Sequence, residues 1–163
     1  MRKILTIALA ALMALASCTK DGAASLDGKW DAPRSPEQAD DIAFSLVFNG
    51  DHLDLYVIAW GQRYSGNYSY ANDVVSFNVT SASQAYTDVV YEDGKIVGYS
   101  WSAGNLDPKT LKLASGYDWY DLSLSREDLY EEYKEMFSSF KFKLVGKDKA
   151  ESDLMFEPVF TRQ

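Results

Sequence analysis

Side chains able to do chemistry are few in this chain, and they are scattered. His52 is the single histidine, and it stands beside Asp51 and Asp54 at the turn signal Asn49-Gly50-Asp51. One imidazole with carboxylates, and the only cysteine far away at Cys18, makes a poor zinc set. His52 therefore reads as part of a solvated hairpin tip. A Ser-His-Asp triad would have to recruit this same histidine, and no Gly-Xaa-Ser-Xaa-Gly elbow supplies the serine. A glycosidase needs two acids held at a fixed separation across a cleft. Asp54, Asp88, Asp118, Asp121 and Glu157 are the candidates, yet no spacing singles out two of them, and such charges mostly face solvent. No Gly-rich phosphate loop and no EF-hand calcium loop is present. The sequence thus assigns no catalytic residue, no metal and no cofactor, and a non-enzymatic role is expected.

Aromatic residues form the more suggestive set. Trp60 and Tyr64, Tyr99 and Trp101, and Tyr117 and Trp119 are spaced by two or four, which turns each pair to one face of a strand. Such stripes line ligand cavities, where flat apolar walls carry most of the contact area. Trp60, Tyr64, Tyr99, Trp101 and Trp119 are accordingly the expected walls of a site for a small apolar or aromatic ligand. The same stripes also serve as ordinary core, because aromatics dominate buried area in β domains. An exposed platform for sugar is a third use.

The N-terminus has the layout of a secretory signal. Arg2 and Lys3 are followed by an uncharged, mostly apolar run from Ile4 to Ala16, too short to cross a bilayer as a helix. Leu15-Ala16-Ser17-Cys18 resembles the lipobox of bacterial lipoproteins. That resemblance implies removal of residues 1–17 and acylation of Cys18 with palmitate-type chains. An unpaired cysteine in a secreted chain needs an explanation, and lipidation supplies one. It also removes the thiol from nucleophilic or disulfide chemistry. Cleavage takes away two cations and no acid, so the net charge falls from −8 to −10. An acidic domain repels phosphate backbones, which argues against nucleic acid as a partner. Residues 18–25 are small and polar and read as a tether. Thr19, rather than Asp, after the cysteine favours the outer over the inner membrane by resemblance to the known sorting rule. Either the periplasmic or the outer face is open. The expected partner is the bilayer itself, through Cys18.

These features must be held by residues 26–163, a span suited to one domain. Eleven Tyr, eight Phe and four Trp exclude a disordered composition. Strand-like segments run over Leu26–Ala32, Ile42–Phe48, Leu53–Tyr64, Gly66–Tyr70, Val74–Thr80, Tyr86–Tyr91 and Ile96–Trp101. Thr110–Ala114, Tyr117–Leu124, Phe140–Val145 and Leu154–Phe160 complete the series. Asn49-Gly50-Asp51, Ala71-Asn72-Asp73, Glu92-Asp93-Gly94-Lys95 and Gly146-Lys147-Asp148 are the turns between them. One helix is expected from Ser125 as N-cap, with Leu129, Tyr133, Met136, Phe137 and Phe140 on its apolar face. It packs on the sheet or plugs one end of a barrel.

Gly28-Lys29-Trp30 at the start of the first strand resembles the opening motif of lipocalins and of smaller lipocalin-like bacterial lipoproteins. Phe44 to Phe48, Gly50 and the Gly66-Asn67-Tyr68-Ser69 stretch agree with it. The resemblance spans residues 26–163 and implies a mainly β, antiparallel lipocalin-like (calycin-type) barrel with one helix near its C-terminal end. Trp30 would close one end of that barrel. Two strands after the helix depart from the family, which has at most one; a β-sandwich is the alternative. Three functions remain open: a ligand-binding module, a protein-interaction or inhibitor module of the cell envelope, and a carboxylate-based glycan hydrolase.

Overall fold

The computed structural model describes residues 25–35, 37–155 and 158–163. The predicted signal segment, Cys18 and Glu157 lie outside these. Ten strands and one α-helix follow in the order β1 (Gly28–Pro33), β2 (Ile42–Asn49), β3 (His52–Val57), β4 (Gln62–Ala71), β5 (Val74–Glu92), β6 (Lys95–Ser100), β7 (Asp118–Asp121), α1 (Glu127–Met136), β8 (Ser139–Leu144), β9 (Lys149–Ser152) and β10 (Val159–Arg162). All pairings are antiparallel. The sheet runs β4-β3-β2-β1-β10-β9-β8-β5, and β5 pairs with β4 again, so the strands form a ring. β6 and β7 hang on the far part of β5. No helix among the described residues is long and apolar enough to cross a membrane.

Tight turns and alternation produce the ring locally. Gly50-Asp51, Asn72-Asp73 and Asp93-Gly94 each join neighbouring strands in two residues, and Asn72 (φ 53°), Asp73 (φ 60°), Asp93 (φ 48°) and Gly94 (φ 77°) all adopt the left-handed backbone such hairpins need. Phe44, Leu46 and Phe48 of β2, with Leu53, Leu55 and Val57 of β3, turn inward to one core. Trp30, fully buried, fills one end of that core with Phe142 edge-on at 5.2 Å between ring centroids. Its Nε1 donates to the Leu26 carbonyl at 2.8 Å. The Arg162 guanidinium lies over the indole at 4.4 Å, and its Nη2 donates to the Ser25 carbonyl.

The structure corrects several boundaries. Leu53–Tyr64 is two strands, because Ile58–Trp60 forms a 3-10 turn ended by Gly61 at φ 59°. The unbroken apolar run hid that corner. Val74–Thr80 and Tyr86–Tyr91 are one strand of 19 residues; the polar stretch between them is paired to β4 on one edge and β7 on the other. Thr110–Ala114 forms no strand, only the Leu106–Leu113 bridge, with Leu111 at φ 55°. Of the closing segment Leu154–Phe160 only Val159 and Phe160 lie in a strand, at the start of β10, and Lys149–Ser152 before it adds β9, so three strands follow the helix. Ala150 is the sole apolar residue of β9, too weak a pattern to read.

The helix differs in its ends. Ser125 does not cap it; its hydroxyl donates to the Leu122 carbonyl at 3.2 Å. Met136 is exposed, Phe137 ends the helix in the core, and Phe140 belongs to β8.

β4 and β5 shift register between Ser65 and Gly66, where a Cβ on Gly66 would collide with the Asn78 carbonyl. Gly66→Ala is expected to lower stability by about 1–3 kcal/mol through forced backbone separation. Gly50→Ala, in open space with positive φ, is expected to cost about 1 kcal/mol. Urea denaturation of both variants checks the order.

Candidate functional site

Trp60 is the hub. The 3-10 turn after β3 places it at the end of the ring opposite Trp30, where its indole stacks on Tyr133 of α1 at 5.5 Å and 27°. Its carbonyl accepts from Gln84 Nε2 at 2.6 Å and from Trp101 Nε1 at 3.0 Å. Two cavities meet at this residue.

The larger, about 830 Å³, opens at the end of the ring formed by the close of β1 and β3 and the start of β2 and β10. Phe44 and Val57 belong to both its wall and the core, and Ala43, Ala59, Met155 and Pro158 extend the apolar surface. Among the described residues, Arg34 and Lys149 are the charged side chains of its wall. Arg34 is held by Asp41 at 3.1 Å. This volume lies within the range of ligand pockets, and its lining is predominantly apolar as such pockets require. The core explains the shape: aromatic rings pack the Trp30 end densely, whereas small residues such as Ala43 and Ala59 leave the other end unfilled.

The smaller, about 300 Å³, lies on the other side of Trp60, between β4, β5, β6 and α1. Tyr86, Tyr99, Trp101 and Tyr133 line it with the buried Gln62 and Gln84. Gln62 Nε2 donates to Gln84 Oε1 at 2.9 Å, and Gln62 Oε1 accepts from the Tyr64 hydroxyl at 2.8 Å.

The five aromatics singled out by spacing do not form one wall. Trp60 borders both cavities. Tyr99 and Trp101, 42% and 44% exposed, line the smaller one. Tyr64 is fully buried in the core against Phe137 at 4.8 Å and lines neither. Trp119 packs on the outside of the ring, near Tyr56 at 6.4 Å and under the Arg63 guanidinium at 5.1 Å. There it belongs to a second apolar cluster built on Tyr56, Ile58 and Leu106. Strand spacing says which residues share a face, and only packing says what that face meets. Gln62 and Gln84, which complete the smaller cavity, lie in polar stretches of β4 and β5, and the only sequence signal for them is an amide two residues before Tyr64 and Tyr86.

His52 and Asp54 do approach, at 3.5 Å, on the outer face of β3, and Ser65 donates its hydroxyl hydrogen to the same carboxylate oxygen. The carboxylate sits in the middle, so the imidazole cannot take the serine's proton as a triad base would. Asp121 accepts from Ser123 N at 2.9 Å and caps a 3-10 turn, while Asp118 accepts from Trp119 N at 2.9 Å. Asp88 sits at an irregularity of β5 with φ 53°. None of Asp54, Asp88, Asp118 and Asp121 lines either cavity. Among the described residues no group of three or more His, Cys, Asp and Glu could hold a metal. No protein-family model, no curated protein and no solved structure matches the chain.

Burial, with a smaller contribution from Tyr133, pushes the Tyr64 phenol far above its ordinary value of 10.0. Burial raises Tyr56 and Tyr86 as well. A raised folded value means stability that is intact below about pH 10 and lost as pH climbs above it, when the unfolded phenols ionise. Denaturant midpoints are expected to fall above that pH, and Tyr64→Phe to fall less steeply; equal slopes for both proteins count against the assignment.

Proposed function

We propose that this chain is a membrane-anchored lipoprotein whose domain is a non-enzymatic binding module for a small apolar ligand, held in the cavity at the open end of the strand ring. The observation that carries the reading is that cavity of about 830 Å³, apolar over most of its wall and continuous with a packed core. The strand ring and the buried Trp30 support a lipocalin-like barrel. A helix placed before the last three strands departs from the lipocalin pattern. Trp60 is the one wall residue shared with the aromatic set read from the sequence.

Gly28 begins β1 at the end of the ring closed by Trp30, whereas Pro33 at the other end of β1 lines the cavity. Among the described residues the charged side chains of the wall, Arg34 and Lys149, are both cations, which favours an acidic head group at the rim over a basic one.

Nile red added to the chain in phospholipid nanodiscs is expected to gain fluorescence over empty discs. Ala43→Trp, which fills the mouth, is expected to return the signal to the empty-disc level without loss of fold. No signal above empty discs, together with no co-purified ligand in native mass spectrometry, removes the reading. The anchor is tested separately: labelled palmitate enters the wild-type chain but not Cys18→Ser, which keeps residues 1–17.

A protein-interaction module is the second reading, favoured by the exposed Val90, Tyr91 and Val97 on the β5–β6 hairpin. A specific envelope partner captured by wild type and lost in Val97→Glu would select it.

A further inference from the structure

The smaller hollow differs in chemistry from the apolar cavity beside it. Five aromatic rings from four separate elements converge there: Trp60 from the 3-10 turn, Tyr86 from β5, Tyr99 and Trp101 from β6 and the residue after it, and Tyr133 from α1. Two of the rings are held in place by their own contacts. Tyr99 stacks on Tyr86 at 4.0 Å, and the Trp101 indole is pinned by its bond to the Trp60 carbonyl. Rings fixed in advance lose little conformational freedom when a ligand settles on them.

Polar groups among these rings have donors to spare. Gln62 is 5% exposed, and one hydrogen of its side-chain amide goes to Gln84 while the other has no hydrogen-bond partner among the described residues. A purely apolar occupant would leave that buried donor unsatisfied, which is costly. Arg126 also lines the hollow. It grips Asp128 through Nε at 3.1 Å and Nη2 at 3.0 Å, leaving Nη1 as a donor with the positive charge already balanced. Those features favour a neutral ligand rich in hydroxyl oxygens over a carboxylate or phosphate. At about 300 Å³ the hollow accommodates one ring rather than a chain of them.

We propose that this hollow binds a single neutral pyranose, its C–H face against the aromatic rings and its hydroxyls accepting from Gln62 and Arg126. The half-exposed Tyr99 and Trp101 at its rim leave room for the rest of a glycan to extend outward.

The test is saturation-transfer-difference NMR on the full chain in nanodiscs with the methyl glycosides of glucose, galactose, mannose and N-acetylglucosamine. At least one is expected to bind, and Trp101→Ala to weaken it by about tenfold while Nile red binding in the apolar cavity is kept. Should Trp101→Ala also lose Nile red binding, Tyr99→Ala on the same rim carries the same expectation. No difference signal from any glycoside at about 10 mM overturns the proposal. So does an unchanged affinity in these variants, or tighter binding of methylcyclohexane than of every sugar. Because Nile red reports the other cavity, failure here leaves the apolar-ligand reading standing, and the reverse holds too.

Discussion

The clasp between Trp30 and Arg162 joins the first strand to the last, and the ring exists only because those strands meet. Trp30 and Arg162 are direct register partners across β1 and β10. The indole fills the end of the core, its Nε1 ties down Leu26, and the guanidinium covers its face while bonding Ser25. A cation over tryptophan contributes roughly 0.5–2 kcal/mol depending on desolvation. Here the guanidinium also seals the indole from water, and its Nε is buried without a hydrogen-bond partner among the described residues. Packing against the ring offsets that unsatisfied donor.

Closing one end so densely leaves the other end to differ. Trp60 sits where β3 turns into β4, and that corner depends on Gly61 in a left-handed conformation closed over by Asn105. One indole then serves as partition between an apolar space and an aromatic-polar one. The helix contributes through Tyr133 and Phe137, which support Trp60 and Tyr64 rather than forming a separate layer. On the outer surface, Lys29 binds Asp31 and the Pro108 carbonyl, both at 2.7 Å, and so holds the segment before β7 against the ring. Trp119 is drawn to that outer cluster, away from both cavities.

Much of the fold was legible in the residues. Asn72-Asp73 and Asp93-Gly94 announce two-residue hairpins because few side chains tolerate positive φ, and the alternation of Phe44, Leu46 and Phe48 marks a strand with one buried face. The corner at Ile58–Trp60, the fusion of two segments into β5, and the strand β9 were not legible. Each is decided by a partner distant in sequence: Asn105 packed on Gly61, β4 and β7 flanking Ser83-Gln84, and β10 beside Ala150. The site divides in the same way. Of the aromatic residues that share a spacing, Trp60, Tyr99 and Trp101 line cavities, while packing sends Tyr64 to the core and Trp119 to the outer face.

By itself the sequence determined a mainly β chain with its turns, one amphipathic helix and an acidic composition. All of these depend on neighbours within a few residues, where backbone preference and side-chain period act. Tertiary structure alone decided that the strands close into a ring, that one end is packed and the other hollow, and that Trp60 divides two spaces of opposite chemistry. Those outcomes follow from which faces meet and how much volume the side chains between them fill, and local patterning carries no record of either.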